Sequence, residues 1–503
     1  MLPALLMSQG LLINTQNRVT TSLNGLWNYI TDPYETGYYS FHSEIYDQKN
    51  PSSPSAFYNN YHQKNKAELV EYDFDKSPVL KVPGDWNTQK ENLFYYEGTI
   101  WYKRSFDFNL KENNRLFVYF GGVNYKAEVY LNGIKLGTHE GGFTYFNYEV
   151  TSVVKQKNNY LILKVDNRRM KDAVPATNTD WWNYGGITRD VMLIEEPAVF
   201  IQDYSIQLKK GTNKTIAGFI KIKKIKKDVI SIPEMQVEKE IQLTVDGNAV
   251  FEIEAGDPIS YWSPESPKLY QVYVKTAYQL IKDEIGFRTI ETRGPDILLN
   301  GKSVFLRGIC MHEEINGRRA NSNADAVKLL SLAKELGCNY VRLAHYPHSE
   351  YMLRMADKMG LMVWEEIPVY WTIDFTNKST YLNAQNQLTE VITRDKNRAS
   401  VIIWSVANET PLSDARNTFL HDLISHTKTL DTTRLISAAL LTRNEKGVGV
   451  IDDKIGEWLD VISFNQYRGW YGGDLATAPD AKWATPYNKP VIVSEFGGDA
   501  KQG

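Results

Sequence analysis

Two cysteines among 503 residues cannot supply a disulfide framework. Excess charge of one sign is missing too. Lys+Arg 57 against Asp+Glu 60 leaves −3, with no positive surplus to hold a phosphate backbone, so no nucleic-acid partner is expected. No apolar run reaches the ~18–20 residues of a membrane span. No GxSxG elbow or P-loop is present, so serine-hydrolase and nucleotide chemistry lack their motifs. Aromatic residues are plentiful: Tyr 31, Trp 12 and Phe 19. Their flat faces and polar tips suit contact with sugars and equally suit interface packing. Met1 to Leu12 is apolar but short for a signal peptide and has no Lys or Arg in front of it. Read as the remnant of one, it points to a periplasmic or secreted protein. Read as a frayed arm, it leaves the cytoplasm as the alternative.

At roughly 150 residues per domain the length suggests about three, and three textures follow one another. Residues 1–196 are strand-like, with β-rich runs at Thr99–Phe106, Arg115–Phe120, Ala127–Leu131 and Tyr160–Val165. Asn132–Gly133 is a hairpin turn signal. The pattern predicts a β-sandwich of jelly-roll type, interrupted over residues 40–75 by a long surface insertion. Residues 197–292 form a second all-β segment, with runs at Phe219–Ile225 and Val272–Thr276, of a length that fits an immunoglobulin-like sandwich. Its basic run Lys221 to Lys227 reads as an edge strand with a solvated face.

Residues 293–503 alternate strand and helix. Strands are predicted at Val304–Gly308, Tyr340–Leu343, Met362–Trp364, Val401–Trp404, Leu435–Ser437, Val461–Phe464 and Val491–Val493, and helices at Asp325–Leu336 and Glu350–Met359. The architecture this implies is a (β/α)₈ TIM barrel. Only seven strands can be placed, and the chain stops eight residues after Glu495. The barrel is therefore expected to be C-terminally incomplete, the sequence a piece of a longer polypeptide, with little or no turnover by it. Cys310 and Cys338 lie at opposite ends of neighbouring strands, so free buried thiols are expected.

In such a barrel, polar residues at the C-terminal strand ends are the catalytic candidates. Here they are His312, Glu313, His345, Glu365, Glu366, Asn408, Glu409, Asn465, Tyr467 and Glu495. A carboxylate directly after an apolar strand is expensive as core packing. Glu409 and Glu495 therefore read as a pair of catalytic carboxylates, one to protonate a leaving oxygen and one to attack an anomeric carbon. A metal site is the competing use, but His312 and His345 sit on different strands with no HExxH or CxxC spacing, so neither metal nor cofactor is expected. Trp371 is a candidate for stacking on substrate or for plain packing at the rim.

These residues make the chain resemble glycoside hydrolase family 2 over essentially its whole length. Trp404-Ser-Val-Ala-Asn-Glu409 is similar to the family's acid/base segment and Ser494-Glu495-Phe-Gly-Gly498 to its nucleophile segment. Asn339-Tyr-Val-Arg-Leu-Ala-His-Tyr-Pro347 and Trp262-Ser-Pro-Glu-Ser-Pro267 also match. Asn465-Gln-Tyr-Arg-Gly-Trp-Tyr471 and Asp180-Trp-Trp-Asn-Tyr-Gly-Gly-Ile187 resemble the β-glucuronidase branch. The resemblance implies a retaining exo-β-glycosidase with Glu409 as acid/base and Glu495 as nucleophile. It implies Asn408 at the 2-hydroxyl, Tyr467 as partner of the nucleophile, and Asp180, His345 and Tyr471 lining the sugar pocket. The carbohydrate substrate is the expected partner, and a homo-oligomer is compatible with the family. The Asn-x-Lys motif that holds the uronate in that branch would lie beyond Gly503, and Gln466 stands where the branch often has Arg. A β-galactosidase of the same family is the second reading. A carbohydrate-binding fragment without turnover is the alternative of another class.

Overall fold

Asn132 and Gly133 take left-handed φ values of 53° and 82°, the geometry a two-residue hairpin needs, and join Lys126–Leu131 to Ile134–Glu140. That hairpin is one end of a six-stranded antiparallel sheet in the computed structural model, which describes residues 10–48, 53, 55–65, 67–68, 72–222, 227–256 and 258–498. A four-stranded antiparallel sheet faces it. Leu116, Val118 and Phe120 from one sheet and Ala127, Val129, Leu161 and Leu163 from the other fill a shared core.

The segment 40–75 does more than lie on the surface. Ala56, Phe57 and Tyr58 are buried, and Tyr58 stacks on Tyr130 at 4.7 Å beside Trp101. The insertion thus covers the outer face of the six-stranded sheet, which would otherwise expose these rings to water. Residues 49–52, 54, 66 and 69–71 of it lie outside the described residues, as do residues 1–9 of the apolar N-terminal run.

Among the described residues the next region has seven strands in sheets of three and four around Tyr204, Ile220, Ile230, Val272 and Phe287. Residues 223–226 of the basic run lie outside the described residues. Thr215–Ile222, which carries Lys221, is paired on both sides, so Lys221 does not lie on an edge strand; Lys227 pairs with Gln242 on one side, and the second pairing of its strand covers Val229–Ser231. Lys221 is solvated because alternate residues of a paired strand still face water.

Barrel strands are β1 (Gly308–Met311), β2 (Tyr340–Leu343), β3 (Met362–Glu366), β4 (Val401–Asn408), β5 (Leu435–Leu440), β6 (Ile462–Gln466) and β7 (Val491–Phe496). They form one parallel sheet in that order, a nearly closed barrel. Helices α1 (Asn323–Glu335), α2 (Glu350–Met359), α3 (Lys378–Asp395) and α4 (Asp414–Leu430) lie between strands. Ser322 caps α1 by accepting from the Asp325 amide at 3.2 Å. Gly360 ends α2 with φ 67°, and a Cβ there would stand 2.5 Å from the Pro264 carbonyl, so the glycine also admits the second region's backbone. Trp262, fully buried beside it, donates to the Asp357 carbonyl at 2.8 Å.

Strand β1 begins at Gly308, not Val304. The apolar Val304 and Leu306 belong to a plug with Ile297 and Leu299 that packs on Met362, Ile402, Leu435 and Val461 at the N-terminal strand ends. The Val304 amide still donates to Ile297, which extends a hairpin. Tyr340–Leu343 has the expected bounds, whereas β3, β4, β6 and β7 run further than their apolar stretches because polar residues such as Glu365, Asn408, Asn465 and Glu495 remain extended.

Strands β1 and β7 are the two edges of the sheet. Cys310 donates its thiol to the Ser494 carbonyl at 3.0 Å between them. Both cysteines are free, but only Cys338 is buried; Cys310 is exposed because it lies on an edge strand. Among the described residues no helix is long and apolar enough to cross a membrane.

Candidate active site

Arg342 on β2 is fully buried and organises the C-terminal strand ends. Its guanidinium donates to Glu366 on β3 at 3.0–3.1 Å, to Asn408 Oδ1 on β4 at 2.7 Å and to Glu495 Oε1 on β7 at 2.5 Å. One side chain thus fixes groups from three strands. Bidentate guanidinium–carboxylate pairing supplies direction as well as charge. Glu366 also accepts from Trp364 Nε1 at 2.6 Å and from His345 Nδ1 at 2.8 Å. Burial alone would raise its pKa, but Arg342 and His345 outweigh that and hold it at about 2.

Glu365 shows why neighbouring residues differ. Side chains alternate along a strand, so Glu366 faces inward and Glu365 faces the helices. There Glu365 meets Arg394 at 3.2 Å and shares that cation with Asp395. Burial, then the nearby Asp395, pushes its pKa well up.

The second oxygen of Glu495 accepts from the Tyr467 hydroxyl, and His345 Nε2 stands 3.5 Å from the first. Glu409 is held differently. Its Oε2 accepts from Trp371 Nε1 at 3.1 Å, and its backbone is left-handed at φ 49°, as is that of Trp371 at φ 50°. Such conformations cost of order 1–3 kcal/mol in non-glycine residues and cluster at functional sites. Trp371 is thus a ligand of Glu409 rather than loose rim packing. Asn408 spends its oxygen on Arg342 and on Asn465 at 3.3 Å. Its buried Nδ2 has no hydrogen-bond partner among the described residues. An unmet buried donor costs about 1–3 kcal/mol, which a ligand oxygen would recover.

The first β-region closes one side. Its Arg189 donates to Glu313 at 2.8 Å and to the Pro347 carbonyl at 2.6 Å, and Arg319 joins Glu313 at 2.6 Å. Burial opposes the charge on Glu313, but the two guanidinium groups hold its pKa at about 2. Glu313 is therefore a structural clamp. That clamp and the buried His139–Glu390 pair, at 3.0 Å, tie the first β-region to the barrel. Trp181 packs on His345 at 5.8 Å, His312 at 6.0 Å and Tyr370 at 5.0 Å. Asp180, though exposed, lies beside the Tyr370 phenol and helps to raise its pKa, and a carboxylate oxygen lies within 4.8 Å of ring nitrogens of both histidines. His312 bonds the Tyr346 hydroxyl at 3.2 Å, and burial, then neighbouring His345, pushes its pKa down to about 3.

Asp180, His345, Asn408, Glu409, Tyr467 and Glu495 thus converge. Tyr471 does not: it is 82% exposed and meets the site through Tyr467, by an edge contact between the rings at 5.3 Å and by its own amide donating to the Tyr467 carbonyl at 3.2 Å. A tight turn, closed by Gly469 donating to Gly472, holds its loop outward. Two residues escaped the sequence reading. Arg342 lies inside the Asn339–Pro347 motif, and its signal is a charge in an otherwise apolar strand. Tyr370 carried no sequence signal of its own. Burial raises its pKa strongly, and Asp180, Glu495 and Glu409 raise it further, so three carboxylates face this one phenol.

A family model described as "Glycosyl hydrolases family 2, TIM barrel domain" matches residues 290–503, and "Glycosyl hydrolases family 2, sugar binding domain" matches residues 20–197. A putative beta-glucuronidase of Formosa agariphila is 29% identical over 457 residues, which are 84% of this chain and 54% of that protein, so the chain spans about half its length. A beta-glucuronidase of Streptococcus agalactiae is 28% identical over 88% of this chain and 81% of its own. The solved structure of a beta-glucuronidase from an uncultured Clostridium sp. superposes with a TM-score of 0.79 at 26% identity, covering 99% of this chain and 86% of that one. With two models of one family matching either end of the sequence, the chain belongs to glycoside hydrolase family 2.

Proposed function

We propose that this sequence carries the catalytic apparatus of a retaining exo-β-glycosidase that removes terminal β-linked glucuronic acid. The observation that carries the reading is the unequal support of two carboxylates at one barrel mouth. Arg342 and Tyr467 donate to opposite oxygens of Glu495, while Glu409 is aimed by the Trp371 indole. The held carboxylate suits attack, and the other suits proton transfer.

In the first step Glu409 gives its proton to the glycosidic oxygen as the bond from that oxygen to the anomeric carbon breaks. Glu495 forms a bond to the same carbon, giving a glycosyl-enzyme and a free aglycone alcohol. In the second, Glu409 takes a proton from water, whose oxygen attacks the anomeric carbon and expels Glu495. Two inversions leave the β configuration. Asn408 Nδ2 serves the 2-hydroxyl, and Asp180 and His345 bind the remaining sugar oxygens. The names of the relatives favour glucuronide as the sugar.

The same proposal takes in the frame: a jelly roll over 1–196, an immunoglobulin-like sandwich over 197–292 and a TIM barrel over 293–503. The facing antiparallel sheets of the first region and the three-plus-four sheets of the second support these assignments.

The test is hydrolysis of aryl β-glucuronide and aryl β-galactoside with the product anomer followed by NMR. Glucuronide turnover with β-glucuronic acid formed first is expected. An α first product overturns the role of Glu495, and preference for galactoside overturns the choice of sugar.

A further inference from the structure

We propose that Asp180, His312 and His345 form a binding site for a borderline-soft divalent cation, of which Zn²⁺ is the model, at the mouth of the sugar pocket. One ligand atom from each residue lies within 4.8 Å of the others. The two imidazoles come from the barrel and the carboxylate from the first β-region, so the site exists only where the two meet.

The histidines are already arranged as metal ligands usually are. A ligating imidazole commonly has its other ring nitrogen engaged by a carboxylate or another polar group, which fixes its orientation. His345 Nδ1 is 2.8 Å from Glu366, and His312 Nδ1 is 3.2 Å from the Tyr346 hydroxyl. That leaves Nε2 of each ring as the remaining candidate ligand atom, that of His345 standing 3.5 Å from Glu495 Oε1. Trp181 lies against both rings. Zinc bonds of ~2.0–2.2 Å place tetrahedral ligands about 3.4 Å apart, so the trio must contract slightly. Asp180 is exposed on a loop and can supply that movement. Two imidazoles and a carboxylate suit Zn²⁺ or Cu²⁺; Mg²⁺ and Ca²⁺ prefer all-oxygen shells.

The metal is not a catalyst here. It would occupy the atoms assigned to sugar hydroxyls, with His345 Nε2 only 3.5 Å from Glu495. Metal and sugar should therefore exclude one another. Binding of the metal stands apart from the proposed function; the exclusion of substrate rests on it.

Calorimetric titration of the protein with Zn²⁺ alone tests binding. A second cluster, His62, Asp73 and Asp75, must be separated from it, although its acids already pair with Lys76 and Lys103. The expected result is a binding event that His62→Ala keeps and that Asp180→Ala and His312→Asn each weaken by about tenfold or more, with no heat from Mg²⁺. Asp180 is exposed, so its variant decides the matter should His312→Asn fail to fold. Parent-like Zn²⁺ binding by Asp180→Ala, loss in His62→Ala alone, or equal binding of Mg²⁺ overturns the site. In a second arm Zn²⁺ should raise KM for aryl β-glucuronide without lowering kcat. A fall in kcat at constant KM overturns the exclusion, whereas absence of any turnover bears on the proposed function and leaves the binding result standing.

Discussion

Two clusters of buried charge in this molecule use the same ingredients to different ends. One joins Arg342, Glu366, His345, Asn408 and Glu495 at the strand ends. The other joins Asp283 of the second β-region to Arg354 of α2, Arg398 after α3, and Tyr204. Asp283 accepts from Arg354 at 2.9 Å, from Arg398 and Tyr204 at 2.7 Å each, and from the Glu284 amide at 2.9 Å. Burial works against its charge, yet the two guanidinium groups hold its pKa below the usual range. All four bonds are internal, and nothing there waits for a ligand. At the barrel mouth Asn408 keeps an unmet N–H, Glu409 sits on a left-handed backbone, and Asp180 reaches in from another region. Buried charge alone does not mark a site; here an unmet amide, a left-handed carboxylate-bearing residue and a side chain from another region meet at one place.

The largest expected effect falls at the barrel mouth. Glu495→Gln should cut kcat by on the order of 10⁴-fold while the melting temperature stays within a few degrees. A variant retaining a tenth of the activity would remove Glu495 from the reaction.

Next comes a matched pair that sharpens the contrast. Arg342→Met leaves Glu366 and Glu495 without their cation, and Arg398→Met deprives Asp283 of one of two. Breaking a buried ion pair from one side costs roughly 3–5 kcal/mol, so both should unfold at lower urea than the parent. Only Arg342→Met should also lose about 10²-fold or more in kcat of the folded protein, since it orients the nucleophile. Equal kcat losses in the two would erase the distinction between the clusters.

Much of this frame is legible in the sequence, and the misses share a cause. Tyr340–Leu343 and Glu350–Met359 can be bounded from apolar spacing because their faces meet a dry core throughout. Strands β3, β4, β6 and β7 run on past their apolar stretches, since Glu365, Glu366, Asn408, Asn465 and Glu495 stay extended. Polarity hides strand there because it belongs to the site. Val304 and Leu306 mislead in the opposite direction, being apolar for the plug rather than for β1. Tyr370 and Arg342 act through convergence from several strands, which no local pattern encodes. Asp180 is found only by resemblance, because its partners lie more than a hundred residues away.

A smaller effect should appear in acid. The carboxyl of Glu313 has a pKa of about 2 in the fold, below its usual value near 4.5. A depressed folded-state value stabilises above the unfolded pKa, and the gain is lost as pH falls from about 4.5 toward 2. The span corresponds to on the order of 3 kcal/mol. Glu313→Gln should therefore melt below the parent at pH 7, with the gap narrowing steadily between pH 4.5 and 2.5. A gap that is constant with pH would show that Glu313 is not a charged clamp between the two regions.

The smallest effect is expected at Tyr471, where resemblance and geometry part. The resemblance puts it in the sugar pocket, but the ring is 82% exposed and meets only Tyr467 among the residues of the site. Exposed residues away from special contacts usually change stability by no more than about 0.5 kcal/mol. Tyr471→Ala should leave the melting temperature within about 1 °C and kcat/KM for an aryl β-glucuronide within roughly threefold, because the edge contact only steadies Tyr467. Tyr467→Phe, which removes the hydroxyl bonded to Glu495, should cost far more, and the ratio of the two measures how sharply the site ends at its rim. A hundredfold loss in Tyr471→Ala confined to KM would mean that the Arg468–Gly473 turn folds inward over bound sugar. The boundary of the site would then have to be drawn one residue shell further out.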